Sequence, residues 1–321
     1  MTTNAAIAKA RVAVVGAGAV GSYFGGMLAR AGAQVTLIGR PAHVEATRRD
    51  GLFIDSVNFQ ERVPIDASTG LSAAGDADFV LFCVKTLDNE EAARSLAPHL
   101  APDAIVVSLQ NGVDNVARIR AAAGIDALPA VVYVAAALPE PGRVKHSGRG
   151  DLIVGELERA DASRPERVAA LFAGAGVPCR ISANIQGDLW TKLIMNCAGN
   201  AVTALARASY GRAARDPDTR AVMTRVIEET VAVARAAGVR LPDVDLVAAG
   251  LKLAETLGEA TSSTAQDIAR GKRTEVGSLN GYVVRRGAEL GVATPVNATL
   301  QALVGLLEQT AARQTRPAAA P

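Results

Sequence analysis

Between Arg11 and Arg40 the chain reads RVAVVGAGAVGSYFGGMLARAGAQVTLIGR, a stretch that few folds accommodate. The run Val12–Val15 is apolar, rich in β-branched residues and short enough for a buried strand. Gly16-Ala17-Gly18-Ala19-Val20-Gly21 follows and fits G-x-G-x-x-G. A helix-length segment then runs to Ala31, and Gly32 stands where a left-handed residue ends a helix most cheaply. Val35–Ile38 is a second apolar strand. Strand, glycine-rich turn, helix and strand in this order form a βαβ unit, the setting in which such a turn binds a dinucleotide. Gly16 allows the tight turn, Gly18 lets backbone approach a pyrophosphate, and Gly21 lets the helix pack close to the strand. The loop Gly16, Ala17, Gly18, Ala19, Val20 and Gly21 then presents helix N-terminal amides to phosphate.

The end of the second strand refines the cofactor. An acidic residue there would hold the ribose hydroxyls of NAD. This chain has Gly39-Arg40, and a guanidinium suits a 2′-phosphate, so the expectation is NADP(H). Arg40 also reads as a solvated loop residue.

Strands and helices alternate through the first half, as a parallel, doubly wound sheet requires. His43–Asp50 reads as a short helix and Gly51–Val63 as irregular or β structure. Phe79–Val84 and Ala104–Leu109 are continuous apolar runs, hence strands buried on both faces. They end at Lys85-Thr86 and Gln110-Asn111-Gly112. Polar residues just past strand carboxyl ends stand where open α/β sheets bind ligands, which singles out Lys85 and Asn111. Ala130–Ala137, Val144–Leu157 and Val177–Ile181 read as further β segments, with a helix over Arg164–Ala173. From Ile185 the pattern turns helical: Ile185–Ala208, Thr219–Ala237, Val244–Leu257, Glu275–Leu290 and Val296–Arg313. The expected architecture is an N-terminal Rossmann-type doubly wound sheet over 1–184, followed by an all-helical domain over 185–321. The Pro/Ala-rich end, Pro317–Pro321, reads as disordered.

With 321 residues the chain suits two domains. Net charge is +2 with basic residues spread throughout, which offers nucleic acid no patch. The three cysteines, Cys83, Cys179 and Cys197, are well separated and read as thiols of a reducing compartment. No stretch approaches the length of a membrane span. The N-terminal MTTNAAIAKA lacks the basic leader and apolar core of a signal peptide. A cytoplasmic protein is expected.

Two constellations in the second half carry chemistry. In Asp188–Asn200, Lys192, Asn196 and Asn200 recur every four residues and share one helix face among apolar neighbours. Such groups on a core-facing helix need partners, and asparagine is a poor helix former. A solvated stripe is the competing reading. The second is Thr261-Ser-Ser-Thr-Ala-Gln-Asp267, followed by Gly271-Lys-Arg-Thr-Glu275 and Asn280-Gly281. Helix capping explains the Ser/Thr cluster as well as ligand binding does, and Glu275 reads equally as a first-turn acid. His43, His99 and His146 are scattered and read as structural or exposed. No His/Cys/Asp cluster calls for a metal.

Taken together, GAGAVG with Arg40, VKT at Val84–Thr86, QNG at Gln110–Gly112, WTKLIMNCAGN at Trp190–Asn200, SSTAQD at Ser262–Asp267 and TEVGSLNG at Thr274–Gly281 resemble the ketopantoate reductase (2-dehydropantoate 2-reductase) family from Arg11 to Leu307. The resemblance implies reduction of a 2-oxo acid to its 2-hydroxy acid with NADPH, by a Rossmann domain and a helical substrate domain that is a possible homodimer contact. It makes Lys192 the general acid, with Asn196 and Asn200 binding substrate and Ser263 touching the substrate carboxylate. Glu275 hydrogen-bonds substrate or Lys192, and Asn111 and Lys85 line the junction with cofactor. The roles agree with the chemistry: an ammonium stabilises the alkoxide that forms at a reduced ketone and can deliver its proton. One departure stands out. Family members often carry an asparagine in the turn after this helix, near the substrate's distal hydroxyl; here the turn is Ala208-Ser209-Tyr210-Gly211. Tyr210 or Ser209 substitutes, or the pocket fits another branched or aromatic 2-oxo acid. A non-catalytic NADP(H)-binding protein is the alternative of a different class.

Overall fold

Odd and even residues of the central strands pack into different apolar clusters, and this alternation determines the layering. The computed structural model describes residues 7–158 and 162–314; the expectations for residues 1–6 and for Pro317–Pro321 lie outside them. Arg11–Val15 forms β1. Its Val12 and Val14 join one core with Phe24, Leu28, Leu81, Val107 and Phe172. Its Ala13 and Val15 join another with Val80, Phe82, Leu96, Val106 and Ile119. A strand buried on both faces needs apolar side chains on both, hence the unbroken run.

Ala19–Arg30 is α1 and Gln34–Ile38 is β2. Pro41–Asp50 is α2, which starts two residues earlier than expected because Pro41 suits the first helical turn and Arg40 is its N-cap. Leu52–Ser56 (β3) pairs antiparallel with Gln60–Val63 (β4), and Asp66–Ser68 is β5. Phe79–Phe82 is β6, Ile105–Ser108 is β7, Leu128–Glu140 is β8, Arg143–Val154 is β9 and Cys179–Ile181 is β10. The helices between them are Asn89–Leu96 (α3), Asn115–Ala123 (α4) and Ser163–Gly174 (α5).

These strands form a 10-stranded sheet in the order β4-β3-β9-β8-β7-β6-β1-β2-β5, with β10 beside β9. Within it, β5-β2-β1-β6-β7-β8 run parallel, the Rossmann order, and the strand order reverses between β1 and β6. The sheet is mixed rather than purely parallel. β8 and β9 make a long antiparallel hairpin with register shifts, and the β3–β4 hairpin extends the edge. Hairpins of this kind satisfy strand edges without a crossover helix, so the βα alternation of the sequence does not reveal them.

The chain divides into two compact units, Met1–Ile185 and Gln186–Pro321. In the second, Ile185–Ala206 is α6, Tyr210–Arg215 is α7, Pro217–Ala236 is α8, Leu246–Leu257 is α9, Ser263–Ala269 is α10, Asn280–Leu290 is α11 and Pro295–Gln314 is α12. Side-chain caps start several of them: Ser209, Asp216, Asp245 and Ser262 accept from the amides of Arg212, Thr219, Ala248 and Ala265. α11 begins at Asn280, not at Glu275 as the helical pattern suggested. The amides of Ser278 and Leu279 turn back to the Glu275 carbonyl, and Leu279 leaves the helical region at φ −102°, ψ −97°. No helix among the described residues is long and apolar enough to cross a membrane.

Candidate active site

The glycine-rich loop leaves β1 where the strand order reverses. Gly16 has φ +97°, and a Cβ there would lie 2.6 Å from the Val84 amide nitrogen, so backbone conformation and packing both require glycine. A Cβ on Gly21 would lie 2.5 Å from the Gly16 carbonyl oxygen and 2.8 Å from Val14 Cγ1. Gly18 differs. Its φ is −83°, it is exposed, and an added Cβ would meet nothing within 4 Å. Nothing in the protein itself excludes a side chain at Gly18, so packing does not account for the glycine there. The amides of Gly16 and Ala17 both donate to the Ile38 carbonyl, and that of Gly18 to Gly16. Those of Ala19, Val20 and Gly21 belong to the first turn of α1, where no intrahelical acceptor exists. Anion-binding capacity therefore lies at Ala19–Gly21 rather than across the whole loop. Arg40 is exposed at the end of β2, with no ion pair among the described residues.

β6 and β7 deliver the next two residues. Lys85 starts a short 3₁₀ turn after β6, and Asn111 follows β7; both are half-buried. A polar web ties their segments together. Thr86 Oγ1 donates to the Asn111 carbonyl over 3.4 Å and Asn115 Nδ2 over 2.7 Å. Gln110 Nε2 donates to the Val84 carbonyl at 3.0 Å and to Asn89 Oδ1 at 3.1 Å. The structure therefore gathers the loop, Lys85 and Asn111 at one edge of the first unit. Cys83, between β6 and Lys85, has its thiol pushed far up by burial and stays protonated.

In the second unit α6 carries Lys192 and Asn196 half-buried and Asn200 only 4% exposed. Leu193, Ile194 and Cys197 are buried, so the polar residues line one edge of a packed helix rather than a solvated stripe. Two distant segments reach this helix. Ser262 Oγ donates to the Asn200 carbonyl at 3.2 Å and accepts from Thr203 Oγ1 at 2.8 Å. Its Oγ also accepts from the Ala265 amide at 3.0 Å, so the capping reading of the Ser/Thr cluster is right for buried Ser262, while Ser263 beside it is exposed. Asn280 Nδ2 donates to the Cys197 carbonyl at 3.2 Å and to Asn297 Oδ1 at 3.0 Å, and Asn297 in turn donates to Glu229 at 2.8 Å. Half-buried Glu275 lies in the turn that leads to Asn280.

Tyr210 settles beside the same helix. Its hydroxyl donates to Asn200 Oδ1 at 2.7 Å, and its ring lies so close to Gly199 that a Cβ there would stand 2.5 Å away. Burial pushes the phenol far up, so it remains a donor. Ser209 instead spends its hydroxyl on the cap of α7. Nothing in sequence spacing announces the Tyr210–Asn200 bond; a tyrosine in a short turn carries no periodic signal.

A Rossmann-ordered unit with a phosphate-type loop, joined to a helical unit with a Lys/Asn face, defines a two-unit oxidoreductase class. Within it, the profile of the ketopantoate reductase PanE/ApbA family matches residues 12–159, and that of its C-terminal portion matches residues 184–308. A 2-dehydropantoate 2-reductase of Halobacterium salinarum is 37% identical over 302 residues, 93% of this chain and 99% of its own. The crystal structure of a PanE/ApbA family ketopantoate reductase from Ralstonia eutropha JMP134 is similar at TM-score 0.88 and 49% identity, covering 94% of this chain and 99% of that one. That of a 2-dehydropantoate 2-reductase from Geobacter metallireducens GS-15 is similar at TM-score 0.86 and 29% identity, over 92% and 99%. The chain belongs to the ketopantoate reductase family.

Proposed function

We propose that this protein reduces 2-dehydropantoate to pantoate, with Lys192 as general acid and NADPH as the reductant. The observation that supports the reading is that Ser262, Tyr210 and Asn280, from three separate segments, hydrogen-bond to the Cys197–Asn200 turn of α6, the helix that carries Lys192, Asn196 and Asn200. When bound, NADPH supplies the hydride. The open space at Gly18, the first-turn amides of Ala19–Gly21 and the unpaired Arg40 fit its pyrophosphate and 2′-phosphate. As the carbonyl carbon is reduced, the Lys192 ammonium stabilises the alkoxide and transfers a proton to it. Asn196, Asn200 and Ser263 hold the substrate, Glu275 hydrogen-bonds substrate or Lys192, and Lys85 and Asn111 line the cofactor side. Three free thiols suit a reducing, cytoplasmic setting.

The experiment is to mix purified protein, NADPH and a panel of 2-oxo acids, following cofactor absorbance. Oxidation with 2-dehydropantoate supports the reading. Oxidation with other branched or aromatic 2-oxo acids alone replaces the substrate, and tight NADPH binding without turnover replaces the enzyme by a binding protein. The feature that favours a different acid is that Asn200 Oδ1 already accepts from the Tyr210 hydroxyl, leaving one lone pair for a substrate donor.

Two further outcomes are expected. Arg40→Ala lowers the NADPH-over-NADH affinity ratio by about tenfold, one charge-assisted phosphate contact; an unchanged ratio removes Arg40 from the cofactor site. Tyr210→Phe frees the Asn200 amide to rotate and raises substrate KM by roughly threefold to tenfold with a smaller change in kcat. Steady-state kinetics decide, and an unaltered KM separates Tyr210 from substrate binding.

A further inference from the structure

One buried polar relay in the first unit has no part in the reading above. His43, on α2, is 5% exposed, and Ser22, on α1, is fully buried. The Gly142 amide, in the β8–β9 turn, donates to His43 Nδ1 at 2.9 Å. An amide can only donate, so Nδ1 is the acceptor and the neutral ring carries its proton on Nε2. Nε2 stands 3.1 Å from Ser22 Oγ, which makes the hydroxyl the acceptor of that proton. Ser22 Oγ then donates its own proton to the Ala17 carbonyl at 3.3 Å. Every donor and acceptor along the line has one consistent direction.

The line ends on the peptide plane between Ala17 and Gly18. Its carbonyl receives the Ser22 hydroxyl, and its N–H donates to the Gly16 carbonyl at 2.7 Å. The plane is therefore held from both sides, immediately ahead of the Ala19–Gly21 amides. The His43 backbone lies in the first turn of α2, where its amide donates to the carbonyl of the N-cap residue Arg40 at 3.1 Å.

We propose that His43 is a positioning residue for the dinucleotide loop, acting through Ser22, and that cofactor affinity falls when His43 takes up a proton. The proposal rests on the dinucleotide reading of the loop. Protonation puts a hydrogen on Nδ1, which then confronts the Gly142 N–H donor to donor. The ring must turn or move away, and the orientation of the Ser22 hydroxyl goes with it. The ionisable side chains on the enclosing elements are Glu45, Arg48, Arg49 and Asp50 on α2 with Arg40 at its N-cap, Tyr23 and Arg30 on α1, Asp66 on β5, and Glu140 and Arg143 beside the turn. Arg143 is itself paired with Asp55 and Glu140. Burial, rather than any of these charges, holds the ring below the ordinary histidine range. A lowered value means that the neutral, relay-forming state persists through neutrality and is lost only as pH falls below it.

The test is titration of the full-length protein with NADP⁺, which unlike NADPH survives in acid, near pH 8 and near pH 5. Wild type, Ser22→Ala and His43→Gln are compared, and thermal unfolding is followed under both conditions. The 2′-phosphate titrates in this range too, but equally for all three proteins. Near pH 8, Ser22→Ala is expected to weaken binding by roughly threefold to tenfold, the effect of one lost hydrogen bond. In acid, the wild-type Kd rises by roughly threefold or more beyond the change seen in His43→Gln, which cannot titrate. In turnover the Ser22→Ala effect resides in the cofactor KM and not in kcat, a division that general loosening of the fold does not produce. Superimposable acid profiles for wild type and His43→Gln overturn the proposal, as does Ser22→Ala with wild-type affinity. If Ser22→Ala does not fold, the acid profiles decide alone. Wild type that binds neither NADP⁺ nor NAD⁺ overturns the dinucleotide reading and the relay together; wild type that binds, with unaffected variants, overturns the relay only.

Discussion

Lys192→Ala is expected to lower kcat by on the order of a thousandfold while NADPH binding is retained, because one group loses both alkoxide stabilisation and proton delivery. The substitution is mild for the fold. Lys192 is half-buried on a helix whose packing rests on Leu193, Ile194 and Cys197, and alanine is the best helix former. A near-wild-type unfolding midpoint should therefore accompany the loss. Lys192→Arg separates the two contributions. It keeps a positive charge but does not deprotonate, so it should recover part of the electrostatic stabilisation and little of the proton transfer. Single-turnover measurement at saturating cofactor is the readout. Turnover within about tenfold of wild type for Lys192→Ala would exclude it as the acid.

The second large effect divides the glycines of the loop by what requires them. Gly18→Ala should weaken cofactor binding by roughly tenfold to a hundredfold with little change in thermal stability. Its backbone is in an ordinary region and its Cβ meets only open space, so just a ligand pressed against the loop is affected. Gly16→Ala should do the reverse in kind. The methyl group collides with the backbone of Cys83 and Val84 at a positive φ, costing about 3 kcal/mol or more of stability. Thermal unfolding alongside NADPH titration distinguishes them. Equal loss of stability in both variants would mean that Gly18, too, is a packing glycine.

Much of the architecture was legible in one dimension because it is locally encoded. The βαβ unit, the apolar runs of β6 and β7 and the change to helical periodicity after Ile185 depend on residues within a few positions of each other. The hairpins were less legible. β8 and β9 pair across a two-residue turn with register shifts, and their alternation is blurred where Ala and Gly replace larger residues. The late start of α11 was missed although Gly277 and Ser278 are poor helix formers; Leu279 adopts a non-helical backbone just ahead of Asn280. In the candidate site, the i, i+4, i+8 spacing of Lys192, Asn196 and Asn200 announced a face but not its partners. Ser262 lies 62 residues from Asn200 and Asn280 83 from Cys197. No local pattern encodes such pairs.

Sequence alone determined the Rossmann turn, the residue types available to it and the helical face with its lysine, since these follow from backbone sterics and from the 3.6-residue period. Tertiary structure alone decided which glycine the fold can spare, that Tyr210 engages the Asn200 side-chain oxygen, and that a histidine on α2 reaches the loop through a serine on α1. Those outcomes depend on where separate segments come to rest within 3 Å or so of each other. Hydrogen-bond direction and excluded volume act at that range only, whatever the distance along the chain.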